Sequence, residues 1–141
     1  MLRLATLLLL LYWLALFLGT HLPSSALPSF EWSDKVLHLG AFAGLTFLLC
    51  WSVPNRSGKR LNNVMIAGVL ASAYGSIDEL TQKFIPGRHC DIWDLIADVI
   101  GVGIGCCAYL VAKRLLTYLR DSQGTRLRPN AKLQLQATKL R

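Results

Sequence analysis

Apolar segments long enough to cross a lipid bilayer constrain this chain before anything else does. A hydrocarbon core takes about 17–25 residues of helix. Stretches of that order run over residues 4–20, 36–53, 63–80 and 92–112. Pro23 and Pro28, then Pro54, then Pro86–Gly87 fall in the gaps between them, where helix breakers belong. The third stretch is the least apolar and is rich in small residues: Ala67, Gly68, Ala71, Ser72, Ala73, Gly75 and Ser76. No internal repeat is evident. The expectation is an all-α, four-transmembrane-helix bundle over residues 1–115. A basic tail, 116–141, follows; it has few large apolar residues in any period and is expected to be disordered or to lie on a lipid surface. The first stretch has a second reading, a cleaved leader with Arg3 ahead of it and Ser24-Ser25-Ala26 as the cleavage site. Its length, with Tyr12 and Trp13 inside it, favours a retained span.

Composition agrees. Hydrophobic residues make up 53% of the 141 residues and charged ones 16%, against about 25% charged in an ordinary soluble domain. The net charge of +7 does not point to nucleic acid, because most of the excess lies after residue 112 and no aromatic–basic pattern accompanies it. Three of the four cysteines (Cys50, Cys106, Cys107) sit inside apolar segments and are expected as small core residues; Cys90 is in a polar loop.

Lys and Arg orient such a bundle. With the N- and C-termini in the cytoplasm, 12 of the 15 basic residues lie inside, and only Lys35, Lys83 and Arg88 lie outside. The arrangement this implies is a multi-pass protein of the membrane that bounds the cytoplasm. Glu31, Asp34, Asp78, Glu79, Asp91, Asp94 and Asp98 then all fall toward the outer side, and only Asp121 lies in the tail. Ionisable groups near membrane depth are costly, so a cluster of them is a candidate site.

Helical spacing sorts these groups onto faces. Asp91, Asp94, Asp98, Gly101 and Gly105 make one stripe on the fourth segment, acids outermost; Gly101-x-x-x-Gly105 admits a close helix neighbour. Gly68, Ala71, Gly75, Asp78 or Glu79, and Gln82 make a matching stripe on the third. Asp34 and His38, one turn apart with Ala41 or Phe42 below, do so on the second. Pro86–Gly87 reads as a tight turn that delivers Arg88 over the acids. Asp91 is equally suited to cap the fourth helix. His21 and His89 read as interfacial loop residues rather than ligands.

Several carboxylates with a histidine suit a hard divalent cation, Mg²⁺ or Mn²⁺, held by Asp78, Glu79, Asp91, Asp94 or Asp98. An arginine suits a phosphate, so Arg88, with Gln82, Lys35 and Asp34, forms the candidate substrate-binding set. His38, Asp78, Glu79 and Asp94 are the candidate catalytic groups. Against this stands interhelical hydrogen bonding, worth about 0.6–2 kcal/mol per bond, with pairs such as Arg88–Asp94 or His38–Glu79.

The combined pattern resembles one family. Asp34-Lys35-x-x-His38, then Gly75-x-x-Asp78-Glu79-x-x-Gln82-x-Phe84-x-Pro86-Gly87-Arg88-x-x-Asp91-x-x-Asp94, then Asp98-x-x-Gly101-x-x-x-Gly105, is similar to the VanZ-like family of small bacterial membrane proteins, over residues 1–115. The family usually carries Asn where this chain has Asp98, so the site here gains an acid. The resemblance implies a four-helix integral membrane protein of the cell envelope. The family's name-giving member is linked to low-level resistance to teicoplanin, a glycopeptide that acts on cell-wall precursors. The leading expectation is a protein that binds a lipid-linked or anionic headgroup, with membrane lipids or lipid-linked cell-wall precursors as partners. The alternatives are a metal-dependent hydrolase or transferase on a lipid phosphate headgroup, and a structural packing module.

Overall fold

A computed structural model describes residues 4–23, 34–53 and 60–139, with side chains omitted at 60 and 124–139. Glu31, Arg3, Pro28, Pro54, the basic residues Arg56 and Lys59, and the suggested Ser24-Ser25-Ala26 cleavage site lie outside the described residues. The chain is all-helical, with no strand among those described. Its elements are α1 (Leu4–His21), α2 (Asp34–Ser52), α3 (Arg60–Gln82) and α4 (Ile92–Lys139).

Three of these helices are long and apolar enough to cross a membrane: Leu4–His21, Asp34–Ser52 and Ile92–Gln123. α3 is long enough at 23 residues but is diluted by Asn62, Asn63, Asp78, Glu79 and Gln82, and it is not among the three. Its polar groups are turned inward: Asn63, Asp78, Glu79 and Gln82 are buried, while Met65, Ile66, Val69, Leu70, Ile77 and Leu80 are exposed. α1 goes further. Only Leu9 and Leu16 of its residues are buried, and Leu7, Leu8, Leu10, Leu11, Leu14 and Phe17 all face outward. In water such surfaces would drive association; in lipid they are the normal exterior of a helix.

The chain divides into two compact units, Met1–Tyr109 and Leu110–Arg141. In the first unit, close packing is set by glycine. A Cβ on Gly101 would run into the Leu39 carbonyl, and one on Gly105 into the Ala43 carbonyl, so α4 and α2 meet backbone to backbone. This is the close approach that the four-residue glycine step predicts. Gly44 is covered by the Tyr12 ring, whose hydroxyl donates to the Ala41 carbonyl at 3.0 Å, and so α1 is joined to α2. Deeper in, Asn63 Nδ2 donates to the Cys50 carbonyl (2.6 Å) and to the Tyr109 hydroxyl (3.2 Å), which links α3 to α2 and α4. Of the cysteines expected in the core, Cys50 is buried but Cys107 is exposed. It lies on the outer face of α4, away from the Gly101–Gly105 seam.

The second unit is helical. Backbone hydrogen bonding continues through Lys139; of the two expectations for the tail, disorder and a place on a lipid surface, helix formation departs from the first. Leu, Ala, Gln, Lys and Arg make up most of residues 126–139 and favour helix without an apolar stripe, against the cost of Pro129 among them.

Candidate functional site

Four helix ends meet at one level. The C-terminal turn of α1 touches the C-terminal turn of α3, and the N-terminal turn of α2 touches the start of α4. The α3–α4 connection closes this end. Ile85-Pro86-Gly87-Arg88 is a type II turn: Arg88 N–H donates to the Ile85 carbonyl at 3.0 Å, and Gly87 has φ 77°. Asp91 then caps α4, its Oδ1 accepting from Trp93 N–H at 2.9 Å.

Around these ends His38, Asp78, Glu79, Gln82, Asp94 and Asp98 are all buried. The three predicted stripes therefore do face one another, and α3 resolves its own ambiguity by using both adjacent acids, on two sides.

On one side, Asp78 faces α1. Its Oδ1 accepts from the Thr20 hydroxyl at 2.9 Å, and His21 Nδ1 lies 3.7 Å away. His21 Nε2 contacts the Thr81 hydroxyl at 3.0 Å, and its ring stacks on Phe17. His21 is thus part of the helix junction and not an interfacial loop residue. On the other side, Glu79 faces α2 and α4. Its Oε2 accepts from Asp91 N–H at 3.1 Å, and its Oε1 is 3.9 Å from His38 Nδ1. Gln82 Nε2 joins the two sides, donating to Asp78 Oδ2 (3.0 Å) and Glu79 Oε1 (3.3 Å).

Between α2 and α4, His38 Nδ1 stands 2.9 Å from Asp98 Oδ1. Asp98 is 1% exposed, and its second oxygen, Oδ2, has no hydrogen-bond partner. That oxygen faces α3 at Gly75, where an added Cβ would stand 3.1 Å from it and 3.0 Å from the Phe42 ring. Gly75 therefore makes the space that the carboxylate occupies.

At the rim, Lys35 Nζ donates to Asp91 Oδ2 and Asp94 Oδ1, both at 2.9 Å. The ammonium holds Asp91 below the usual carboxylate range, helped by the Trp93 N–H. The Asp91 contribution is complete at neutral pH and is lost as pH falls through that lowered value. Asp34 is exposed but lies with His38 and Asp94 in a group whose ligand atoms are all within 4.8 Å of one another.

Arg88 takes a place that the sequence reading did not foresee. It was expected over the acids, paired for example with Asp94. Instead Nη2 donates to the Gly19 carbonyl at 2.7 Å, near the C-terminus of α1, while Nε is buried without a partner. The free carbonyls and negative dipole end of α1 attract the guanidinium, and Lys35 already serves Asp94. Thr20, His21 and Gly19 are the site residues that sequence reasoning missed. A polar Thr-His pair directly after an apolar run was the available signal.

Residues 4–113 match the family model described as VanZ/LLP1. Neither a curated protein nor a solved structure matches the chain.

Proposed function

This chain belongs to the VanZ/LLP1 family and has the apolar helices of a membrane protein, and from these premises we propose that it serves the bacterial cell envelope by binding the headgroup of a lipid or lipid-linked cell-wall precursor at the polar end of its helices. All four helices then cross the cytoplasmic membrane, α3 with its apolar face to lipid, and the polar end opens outward, as the distribution of Lys and Arg favours. The observation that carries the reading is the density of buried ionisable groups there. His38, Asp78, Glu79, Asp94 and Asp98 are each no more than 7% exposed. Helix packing needs no such concentration of acids, because their mutual repulsion must be offset by a proton, a cation or a bound partner. Lys35 and Asp34 are exposed beside this interior and make the polar rim that a headgroup meets first. The teicoplanin link of the family's name-giving member fits a site for envelope precursors, and altered teicoplanin susceptibility is the cellular consequence we attach to it.

Native mass spectrometry tests this reading. Wild-type protein, offered polyprenyl phosphate and zwitterionic phospholipid together, retains the polyprenyl phosphate preferentially, and Lys35→Ala retains less because the exposed ammonium at the rim is gone. Equal retention of both lipids by the two proteins would sink the proposal.

The His38–Asp98 pair beside Glu79 favours a second reading, a metal-dependent hydrolase or transferase acting on a lipid phosphate headgroup. In it His38 would move the proton. Release of phosphate from such lipids that stops with a chelator separates it from binding alone.

A further inference from the structure

We propose that His38, Glu79 and Asp98 hold one first-row divalent cation, Mn²⁺ or Zn²⁺, between α2, α3 and α4. One ligand atom from each lies within 4.8 Å of the others, and all three residues are buried. Metal-bound N and O atoms sit about 2.0–2.2 Å from such an ion, which places neighbouring ligands about 3 Å apart. The observed separations from His38 Nδ1, 2.9 Å to Asp98 Oδ1 and 3.9 Å to Glu79 Oε1, need only small side-chain adjustments to meet that geometry. One imidazole with two carboxylates is a mixed set, and the imidazole selects Mn²⁺ or Zn²⁺ over Mg²⁺.

A second observation points to a missing ligand. Asp98 is 1% exposed and leaves Oδ2 with no donor at all, although a buried carboxylate oxygen normally has one. Two buried carboxylates share one imidazole, and the nearby ammonium of Lys35 is engaged by Asp91 and Asp94. The neighbouring group Asp34–His38–Asp94 shares His38 but is the weaker choice, because Asp34 is exposed and Asp94 already accepts from Lys35. Where His38 Nδ1 ligates, binding displaces its proton to solvent.

The inference deepens the headgroup reading, since a cation supplies the positive charge that an acidic site lacks for an anionic headgroup. It is tested without any headgroup. Purified protein in neutral detergent is treated with chelator, desalted and titrated with Mn²⁺, with free ion followed by electron paramagnetic resonance and thermal unfolding measured with and without Mn²⁺. Wild type is expected to bind one Mn²⁺, raise its Tm on binding and lose Mn²⁺ to added Zn²⁺. Glu79→Gln, which keeps the His38–Asp98 pair, is expected to bind at least about tenfold more weakly, the lower limit seen even for outer-shell changes. Asp98→Asn should do the same, while Ser76→Ala, at an exposed position of α3 outside the site, should bind as wild type does. Wild type that binds no Mn²⁺, or Glu79→Gln and Asp98→Asn proteins that bind it as wild type does, would overturn the assignment. Because no lipid phosphate is present, that failure is distinct from a failure of headgroup retention.

Discussion

Adding one methyl group at Gly101 is expected to lower the stability of the folded protein by about 3 kcal/mol, the upper end of the usual range for overpacking. The reason is what the methyl would meet. It would overlap the Leu39 carbonyl and stand 3.1 Å from Ala43 N, and neither atom can swing aside as a side chain does. Relief requires α2 and α4 to move apart, which also separates His38 from Asp98. Gly103, two residues on, has nothing within 4 Å of its Cβ position. Gly103→Ala should therefore be neutral or stabilising by up to about 1 kcal/mol from helix propensity alone. Thermal unfolding of both variants in one detergent, followed by circular dichroism, checks this. Equal effects of the two substitutions would refute the backbone-to-backbone seam.

The second large effect concerns the buried His38–Asp98 contact across that seam. His38→Leu leaves Asp98 and Glu79 buried with no imidazole between them, and removing one partner of a buried pair costs about 3–5 kcal/mol. Replacing both partners by apolar residues removes the uncompensated charge, so His38→Leu/Asp98→Leu should regain most of the loss. A double-mutant cycle on unfolding free energies reads the coupling directly. Additive losses would mean that the 2.9 Å contact contributes nothing. The double variant, once folded, should bind no Mn²⁺, because two of the three proposed ligands are gone.

The parts of this architecture that follow periodic rules were legible in the sequence. Steps of three and four placed Asp94, Asp98, Gly101 and Gly105 on one face of α4, and all four are buried. The Pro86–Gly87 turn followed from the φ preferences of its two residues, and Gly87 is at φ 77°. Which partner each charge takes was not legible, because pairing depends on which helix ends meet. Lys35 reaches Asp91 and Asp94 across 56 and 59 residues of sequence. Arg88 reaches a carbonyl on α1, a group that every residue carries and no sequence pattern marks. The role of α1 was hidden for a related reason: the side chains that join it to the other helices by hydrogen bonds, Tyr12, Thr20 and His21, lie within a mostly apolar run. The choice between Asp78 and Glu79 could not be made because it was a false choice. The two point about 100° apart, and α3 lies between α1 on one side and α2 with α4 on the other.

That division of α3 also separates glue from site. Asp78, with Thr20 as donor and His21 beside it, joins α1 to α3, and its bonds are those of a packing contact. Glu79 lies near His38 and Asp98, in the group where two buried acids share one imidazole. Neutralising an acid in a crowded group relieves repulsion, whereas neutralising one in a satisfied junction only weakens it.

The most direct test of the site is therefore to measure thermal stability and polyprenyl phosphate retention on the same preparations of wild type and Glu79→Gln. A binding site held at the expense of stability predicts that retention falls while Tm holds or rises. Retention that is unchanged, or that falls only in step with a lowered Tm, would show that Glu79 merely packs the helices and would contradict the account.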